Sequence, residues 1–199
     1  MANTLADLTG IWRRESLTIE QGQPFEDSEV YWLQVDDYFA DMRWPRQPLA
    51  ATSSLQSAYA GRTQWSPPTM TFTHHIDLTQ ENPEDAGNLM MVNGQLWEQG
   101  QVTIDGKIIR YKEVWSPQHR INQASKTTVA VVDTLDEVGY FVQVADFAIA
   151  MNNRHGAISA ACLRQNRPGH WRILHRIGRI ESLNALMPEH LVGLIQETD

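Results

Sequence analysis

The sequence predicts an all-β protein, folded as a single antiparallel β-barrel of about ten strands with a C-terminal helix. Runs of residues rich in Val, Ile, Thr, Tyr, Phe and Trp recur along the chain and are broken by turn residues, as in sandwiches and barrels. Asn93-Gly94 and Asp105-Gly106 are hairpin signals, because both positions of such turns require a positive φ. Closing many antiparallel strands into a barrel removes the exposed edges of the sheet.

The first half of the chain predicts strands separated by turns. Pro45 and Pro48 interrupt the pattern, and residues 49–60 are compatible with either a helix or a long loop over the barrel mouth. Residues 81–88 are rich in Asn, Pro, Asp and Gly, which predicts a turn. The strands expected here are 10–20, 28–35, 38–44, 62–65, 70–78 and 89–92.

The second half continues the strand pattern and ends in a helical one. Residues 129–133 and 147–151 lack regular alternation, which predicts burial on both faces. In residues 182–199 leucines recur at helical spacings and Pro188 suits a first turn, so we expect a helix that covers one end or edge of the barrel. The strands expected here are 96–104, 107–115, 127–132, 140–151, 157–163 and 171–177.

Composition limits the classes of protein and partner. The 199 residues contain no linker-like stretch, so we expect one domain over 1–199. A net charge of -8 disfavours nucleic acid and anionic membranes as partners. The lone cysteine, Cys162, allows no internal disulfide and fits a reducing compartment. Because the sequence shows neither a signal-peptide pattern nor a membrane-spanning apolar run, we expect a soluble, cytoplasmic protein.

Two sets of motifs resemble known barrel families. Gly10-Ile11-Trp12 resembles the first-strand signature of lipocalins and related calycins, which implies a calycin-like barrel. In that family the tryptophan packs across one barrel end, often against an arginine, and the resemblance offers Arg14, Arg172 or Arg176 for this role. The segments 85–87, 98–100 and 111–115 resemble a poorly characterised fungal family with calycin-like barrels, which implies a fold and no activity.

Strand alternation indicates which polar side chains share a face. Arg43 shares a face with Asp41. The spacing lets Arg43, Glu98, Glu113 and one of His74 or His75 lie together inside the barrel. The register is left open, because a slip of one residue moves every side chain to the other face. The residues predicted to bind a ligand are Arg43, Tyr111, Glu113, Trp115, Glu98, His75 and Trp32.

These charged residues allow three roles. An arginine beside two carboxylates can anchor a carboxylate ligand. A desolvated Glu113 or a buried His75 can act as a general base, so these two are the catalytic candidates. Alternatively, the same groups form a structural ion-pair network that joins strands.

Other chemistry has little support in the sequence. Adjacent strand residues such as His74-His75 point to opposite faces and cannot easily share an ion, so no metal site is predicted. Nucleophile and phosphate-loop motifs are absent, and no cofactor is expected. Cys162 has small and apolar neighbours, which indicates an inert thiol. The acidic segments 81–85 and 133–139 are interpreted as solvated turns.

The function predicted from these features is lipocalin-like binding of a small, largely apolar or aromatic molecule in a barrel cavity. One alternative is a cofactor-free isomerase, cyclase or hydratase that acts on a hydrophobic substrate. A second alternative is a protein-interaction barrel with a packed interior. The sequence leaves the oligomeric state open.

Overall fold

The computed structural model describes residues 4–46, 56–79, 84–104, 106–119, 126–188 and 195–196. Two short 3-10 helices, Leu5–Leu8 and Ile180–Leu183, accompany the strands of these ranges. The first eight strands are β1 (Gly10–Ile19), β2 (Ser28–Val35), β3 (Tyr38–Pro45), β4 (Ser57–Ser66), β5 (Thr69–Asp77), β6 (Glu84–Val92), β7 (Gln95–Ile104) and β8 (Lys107–His119). The remaining strands are β9 (Thr127–Asp133), β10 (Glu137–Val144), β11 (Phe147–Arg154), β12 (Ala157–Arg167), β13 (His170–Ile177) and β14 (Ile195–Gln196).

Strands β1 to β8 form a closed antiparallel barrel. Each strand pairs with the next one in sequence, and β8 pairs back with β1 from Ile19↔Tyr111 to Ile11↔His119. This arrangement confirms the all-β prediction and fits a calycin-like fold. The predicted hairpin at 93–94 is present, with φ of 53° at Asn93 and 83° at Gly94. At the other predicted hairpin, Gly106 has φ 74°, and Asp105 lies outside the described residues.

The strands after β8 do not extend the barrel. They form a six-stranded sheet in the order β14-β13-β12-β11-β10-β9, so the barrel has eight strands instead of about ten. The physical reason is that the barrel is apolar outside as well as inside. Outward residues of β1 to β5, such as Ala40 and Met42, share one buried cluster with Val142 and Ile149 of the second sheet.

Strand β11 lies between two apolar layers, as the irregular segment 147–151 predicted. Phe147, Ile149 and Met151 belong to the cluster shared with the barrel, whereas Ala148 and Ala150 belong to a cluster on the opposite face of the sheet. The same prediction is wrong for 129–133, since β9 is half-exposed at the end of the described sheet order.

The C-terminal segment departs from the predicted helix at 182–199. Residues 180–183 form one 3-10 turn. Leu183 at its end and Leu186 just after it pack on the outer face of the second sheet. Ile195–Gln196 pairs parallel with β13, and residues 189–194 and 197–199 lie outside the described ranges. These leucines cover an apolar face of the second sheet from a turn, although their spacing in the sequence also fits a helix.

Two turn assignments also change. Residues 84–88, interpreted as part of a turn cluster, begin strand β6, while 81–83 lie outside the described residues. Residues 57–60 of the segment 49–60 begin β4, and 49–55 are likewise outside. Among the helices in the described ranges, none has the length and apolar character needed to cross a membrane.

The tryptophan of the Gly10-Ile11-Trp12 motif faces the barrel interior and packs against another indole. Its indole N–H donates to the backbone oxygen of Leu8 at 2.8 Å, and its ring stacks on Trp32 with centroids 6.1 Å apart. Of the arginines offered as its partner, Arg14 is held by carboxylates, while Arg172 and Arg176 are exposed on the second sheet. The described contacts of this tryptophan are therefore an aromatic stack and a hydrogen bond to the first 3-10 helix.

We propose that the barrel and the second sheet are one domain that unfolds as a unit. Ile149→Ala removes a fully buried side chain from their shared cluster and is expected to cost about 2–5 kcal/mol of unfolding free energy. Hydrogen exchange should then accelerate in β2 and β3 as well as in β10 to β12. Leu135→Ala, at a fully exposed position, is the control and should leave exchange unchanged. Acceleration confined to the second sheet contradicts a single unit.

Candidate functional site

The barrel interior is packed at one end. Indole and phenyl rings fill this end and meet edge to face, with Trp32 5.6 Å from both Phe72 and Trp115. The first 3-10 helix adds the fully buried Leu8. The buried side chains of this cluster are Leu8, Trp12, Val30, Trp32, Phe39, Met70, Phe72, Leu89, Leu96 and Trp115.

The rest of the interior encloses a cavity of about 530 Å³. Its walls combine the apolar side chains of Leu17, Ile19, Val102 and Ile109 with a layer of ionisable groups. Ile19 is 42% exposed, so the apolar part lies toward solvent and the ionisable layer lies next to the packed end. The polar and aromatic lining comprises Arg14, Arg43, Tyr59, His74, Thr79, Asp85, Glu98, Thr103, Tyr111 and Glu113.

Two arginines and one glutamate form the centre of this layer. Arg14 donates to Glu113 Oε1 at 2.5 Å, and the Arg43 guanidinium lies 3.7 Å from the same oxygen. Arg14 and Glu113 are each 5% exposed. Glu113 of β8 therefore neutralises charge from β1 and from β3 at once.

Each arginine also has a carboxylate of its own. Arg14 donates to Glu26 at 2.7 and 3.4 Å, and Arg43 donates to Asp41 at 2.8 and 3.0 Å. Burial by itself lowers the pKa of Arg43, but the charges of Asp41 and Glu113 raise it well above its usual value. Both guanidinium groups are thus fixed as cations and already paired.

Glu98 of β7 is a buried carboxyl group that forms no ion pair with any of the described residues. Its oxygens accept hydrogen bonds from the Tyr111 hydroxyl and the Trp115 indole N–H, both at 3.2 Å. Burial raises the pKa of Glu98 well above its usual value, and the negative charges of Glu113 and Asp85 raise it further. Glu98 therefore favours the neutral acid over a wider pH range than an exposed glutamate does.

Two glycines make room for this carboxyl group. Gly87 and Gly100 are register partners on β6 and β7. A Cβ on Gly87 would lie 2.6 Å from Glu98 Oε1, and a Cβ on Gly100 would lie 2.4 Å from the Tyr111 hydroxyl. The Tyr111–Glu98 pair occupies space that side chains at these positions would fill.

Asp85 and His74 complete the layer from β6 and β5. Asp85 Oδ2 is 3.9 Å from His74 Nε2, and its buried Oδ1 has no hydrogen-bond partner within the described part of the chain. Burial raises the pKa of Asp85, while His74 and Arg43 oppose the rise. The second nitrogen of His74 lies 3.8 Å from Asp77.

The prediction that His75 shares the interior with Glu113 is wrong. The register of β5 shifts between Ala60↔Ile76 and Gly61↔His74, which leaves His75 in a bulge on the exterior. Its Nδ1 lies 2.5 Å from the Tyr140 hydroxyl of the second sheet. His74 takes the interior position, and the bulge is not visible in the alternation of the sequence.

The other predicted site residues lie inside the barrel, in two places. Arg43, Tyr111, Glu113 and Glu98 line the cavity. Trp32 and Trp115 lie in the packed end, where with Arg43 and Glu98 they line a small pocket of about 30 Å³. Their roles in binding or catalysis remain predictions.

The predicted site residues did not include Arg14 and Asp85, which line the cavity, or Glu26, which pairs with Arg14. Alternation from Trp12 places Arg14 on the interior face, a signal that was present in the sequence. Glu26 lies between β1 and β2, and Asp85 was interpreted as part of a solvated turn, so neither had a visible periodic signal. Within the described residues no group of three or more His, Cys, Asp and Glu side chains has the arrangement of a metal site.

Comparison with known proteins gives a family and a fold. The model of the family described as Protein HRI1 matches residues 10–196. The crystal structure of an uncharacterized protein from Saccharomyces cerevisiae is similar with a TM-score of 0.73 and 13% identity, covering 89% of this chain and 88% of that chain. At this identity the likeness extends to the fold alone. No curated protein matches the sequence.

Glu113→Gln is expected to lower the free energy of unfolding by about 3 kcal/mol, because it removes the charge that Arg14 and Arg43 share in a buried site. Glu29→Gln is the control, since Glu29 pairs with Arg13 where both side chains are about a quarter exposed, and about 1 kcal/mol or less is expected. Urea denaturation of both variants measures the difference. Equal losses would contradict a central role for Glu113.

Glu98→Gln is expected to change how stability depends on pH. Because the folded-state pKa of Glu98 is raised above its ordinary 4.5, folding binds a proton, and this group's contribution to stability falls as pH rises from 4.5 through the raised value. The variant removes that fall, so it should gain stability relative to the parent protein between pH 5 and pH 8. Denaturation across this range measures the gain, which the exposed control Glu84→Gln should not show.

Proposed function

The chain belongs to the HRI1 family, and from the geometry of its barrel we propose that it binds a small, largely apolar molecule in the cavity, in the manner of a lipocalin. The observation that carries the proposal is the cavity of about 530 Å³ at one end of the barrel. Ligand sites usually enclose about 300–1,000 Å³ and combine apolar walls with a few placed polar groups. A packed end closes the barrel below the cavity, so a ligand enters from the solvent-facing end.

Within this proposal the predicted ligand-binding residues have different roles. Tyr111 and Glu98 present polar atoms to the ligand, while Glu113 and Arg43 hold the charged layer in place. Trp32 and Trp115 form the rigid floor on which that layer rests. The acidic composition of the chain supports a small molecule over nucleic acid as the partner.

A cofactor-free isomerase, cyclase or hydratase is the second candidate. The observation that favours it is Glu98, a buried carboxyl group whose raised pKa suits a general acid. Glu113 suits a general base less well, because its Oε1 already accepts a hydrogen bond from Arg14 and lies 3.7 Å from the Arg43 guanidinium. For an enzyme, Glu98→Gln abolishes turnover of a bound substrate and leaves its binding intact. The cavity counts against the further alternative of a fully packed interaction barrel.

Filling the cavity tests the binding proposal. Ile109→Trp enlarges a side chain that lines the cavity, whereas Ile108→Trp enlarges its neighbour, which is 60% exposed. Fluorescence titration with the neutral apolar dye N-phenyl-1-naphthylamine should show binding to the parent protein and to Ile108→Trp, with affinity reduced about tenfold or more in Ile109→Trp.

Circular dichroism checks that both variants fold. Binding that is unaffected by Ile109→Trp, or absent from the parent protein, contradicts a cavity ligand. Native mass spectrometry of the purified protein, followed by denaturing extraction, identifies any small molecule that stays bound.

A further inference from the structure

We propose that the cavity takes a molecule with a cationic hydrogen-bond donor, such as a protonated amine, which lies against Asp85 and Glu98 while the apolar body extends toward the rim. This inference rests on the proposed binding function and names the chemical class of the ligand. It concerns the carboxyl groups at the inner end of the cavity that the arginines of the ion-pair network do not contact.

The first step concerns the cations of the cavity. Arg14 is held by Glu26 and Glu113, and Arg43 by Asp41 and Glu113, in contacts between 2.5 and 3.7 Å. An anionic ligand would have to displace one of these carboxylates or lie beside it. Displacement would leave a buried carboxylate such as Glu113 without its partner, which is costly. The arginines are therefore poorly suited to anchor a carboxylate ligand.

The second step concerns the two carboxyl groups of the cavity lining that do not pair with Arg14 or Arg43. Asp85 Oδ1 is buried and accepts no hydrogen bond from any residue that the structure describes, while Oδ2 lies 3.9 Å from His74 Nε2. Glu98, 5% exposed, receives neutral donors from Tyr111 and Trp115. Both acids line the cavity, where a donor from a ligand can reach them.

The third step is the sign of the electrostatic potential. Glu113 and Asp85 both act on Glu98 to disfavour its ionised form, and the charge of Arg43 does not offset them. A cation placed between Asp85 and Glu98 relieves this repulsion, and an anion increases it. The floor of the cavity therefore selects for positive charge, even though two arginines line it.

The fourth step places the rest of the molecule. Leu17, Ile19, Val102 and Ile109 supply apolar surface between the floor and the solvent. The Tyr59 ring also lines the cavity and has the Arg43 guanidinium 5.3 Å from its centroid. A ligand with an ammonium head and an apolar tail or ring matches both layers.

Octylamine, octanol and octanoate are matched probes that differ in the head group alone. Their affinities are measured by displacement of N-phenyl-1-naphthylamine at pH 7. Octylamine is expected to bind about tenfold more tightly than octanol, and octanoate more weakly than both. Asp85→Asn should remove the advantage of octylamine over octanol. Glu84→Gln, one residue earlier on the same strand and exposed, is the matched control and should behave as the parent protein.

Calorimetry adds a readout that a purely structural role of Asp85 would not change. The cation should lower the pKa of Glu98, so octylamine binding should release protons, as seen by comparing buffers of different ionisation enthalpy. The other ionisable groups of the layer are Arg14, Glu26, Asp41, Arg43, His74, Asp77, Asp85, Tyr111 and Glu113. Glu98→Gln should abolish most of this release.

The outcomes separate the two proposals. If the dye binds but octanol or octanoate binds more tightly than octylamine, or octylamine does not compete, the cationic class is wrong and the binding function stands. Proton uptake with octylamine likewise overturns the cationic class. If neither the dye nor any of the three probes binds, the binding function itself fails and the inference fails with it.

Discussion

The guanidinium groups of Arg14 and Arg43 converge on Glu113, and the rest of the barrel interior depends on this shared ion pair. Two arginines inside a small barrel are tolerated only if their charges are compensated. Glu26 and Asp41 provide one further carboxylate for each arginine, from the loop before β2 and from β3. The network joins β1, β3 and β8 across the interior.

This arrangement sets the chemistry of the cavity. With the arginines paired, Asp85 and Glu98 are the carboxyl groups of the described cavity lining that no arginine contacts. Gly87 and Gly100 contribute by leaving out side chains where the Tyr111–Glu98 pair lies. The aromatic end below gives the layer a rigid support, since Trp115 both packs against Trp32 and donates to Glu98.

The second sheet has a different role, because it buries the outside of the barrel. Ala40, Met42 and Ile76 point away from the cavity and pack in the cluster that contains Val142 and Ile149. The contact between His75 and Tyr140 crosses the same boundary. Strands β1 to β5 are therefore apolar on both faces over part of their length, and the barrel is supported from outside on the side opposite β7.

The sequence by itself determined the class of fold and which side chains share a face of one strand. Alternation along β3 grouped Arg43 with Asp41, and along β8 it grouped Glu113 with Tyr111, because side chains of successive strand residues point to opposite faces. It left open which face of each strand points inward. Positive φ at the Asn93-Gly94 hairpin was equally readable, because it depends on two adjacent residues. Tertiary structure decided what depends on partners distant in sequence. Three features depend on which surfaces pack together: the bulge that places His74 instead of His75 in the interior, the inward position of Asp85, and the assembly of β9 to β14 into a separate sheet. A local sequence pattern cannot predict them, because it does not contain the contacts between residues distant in sequence.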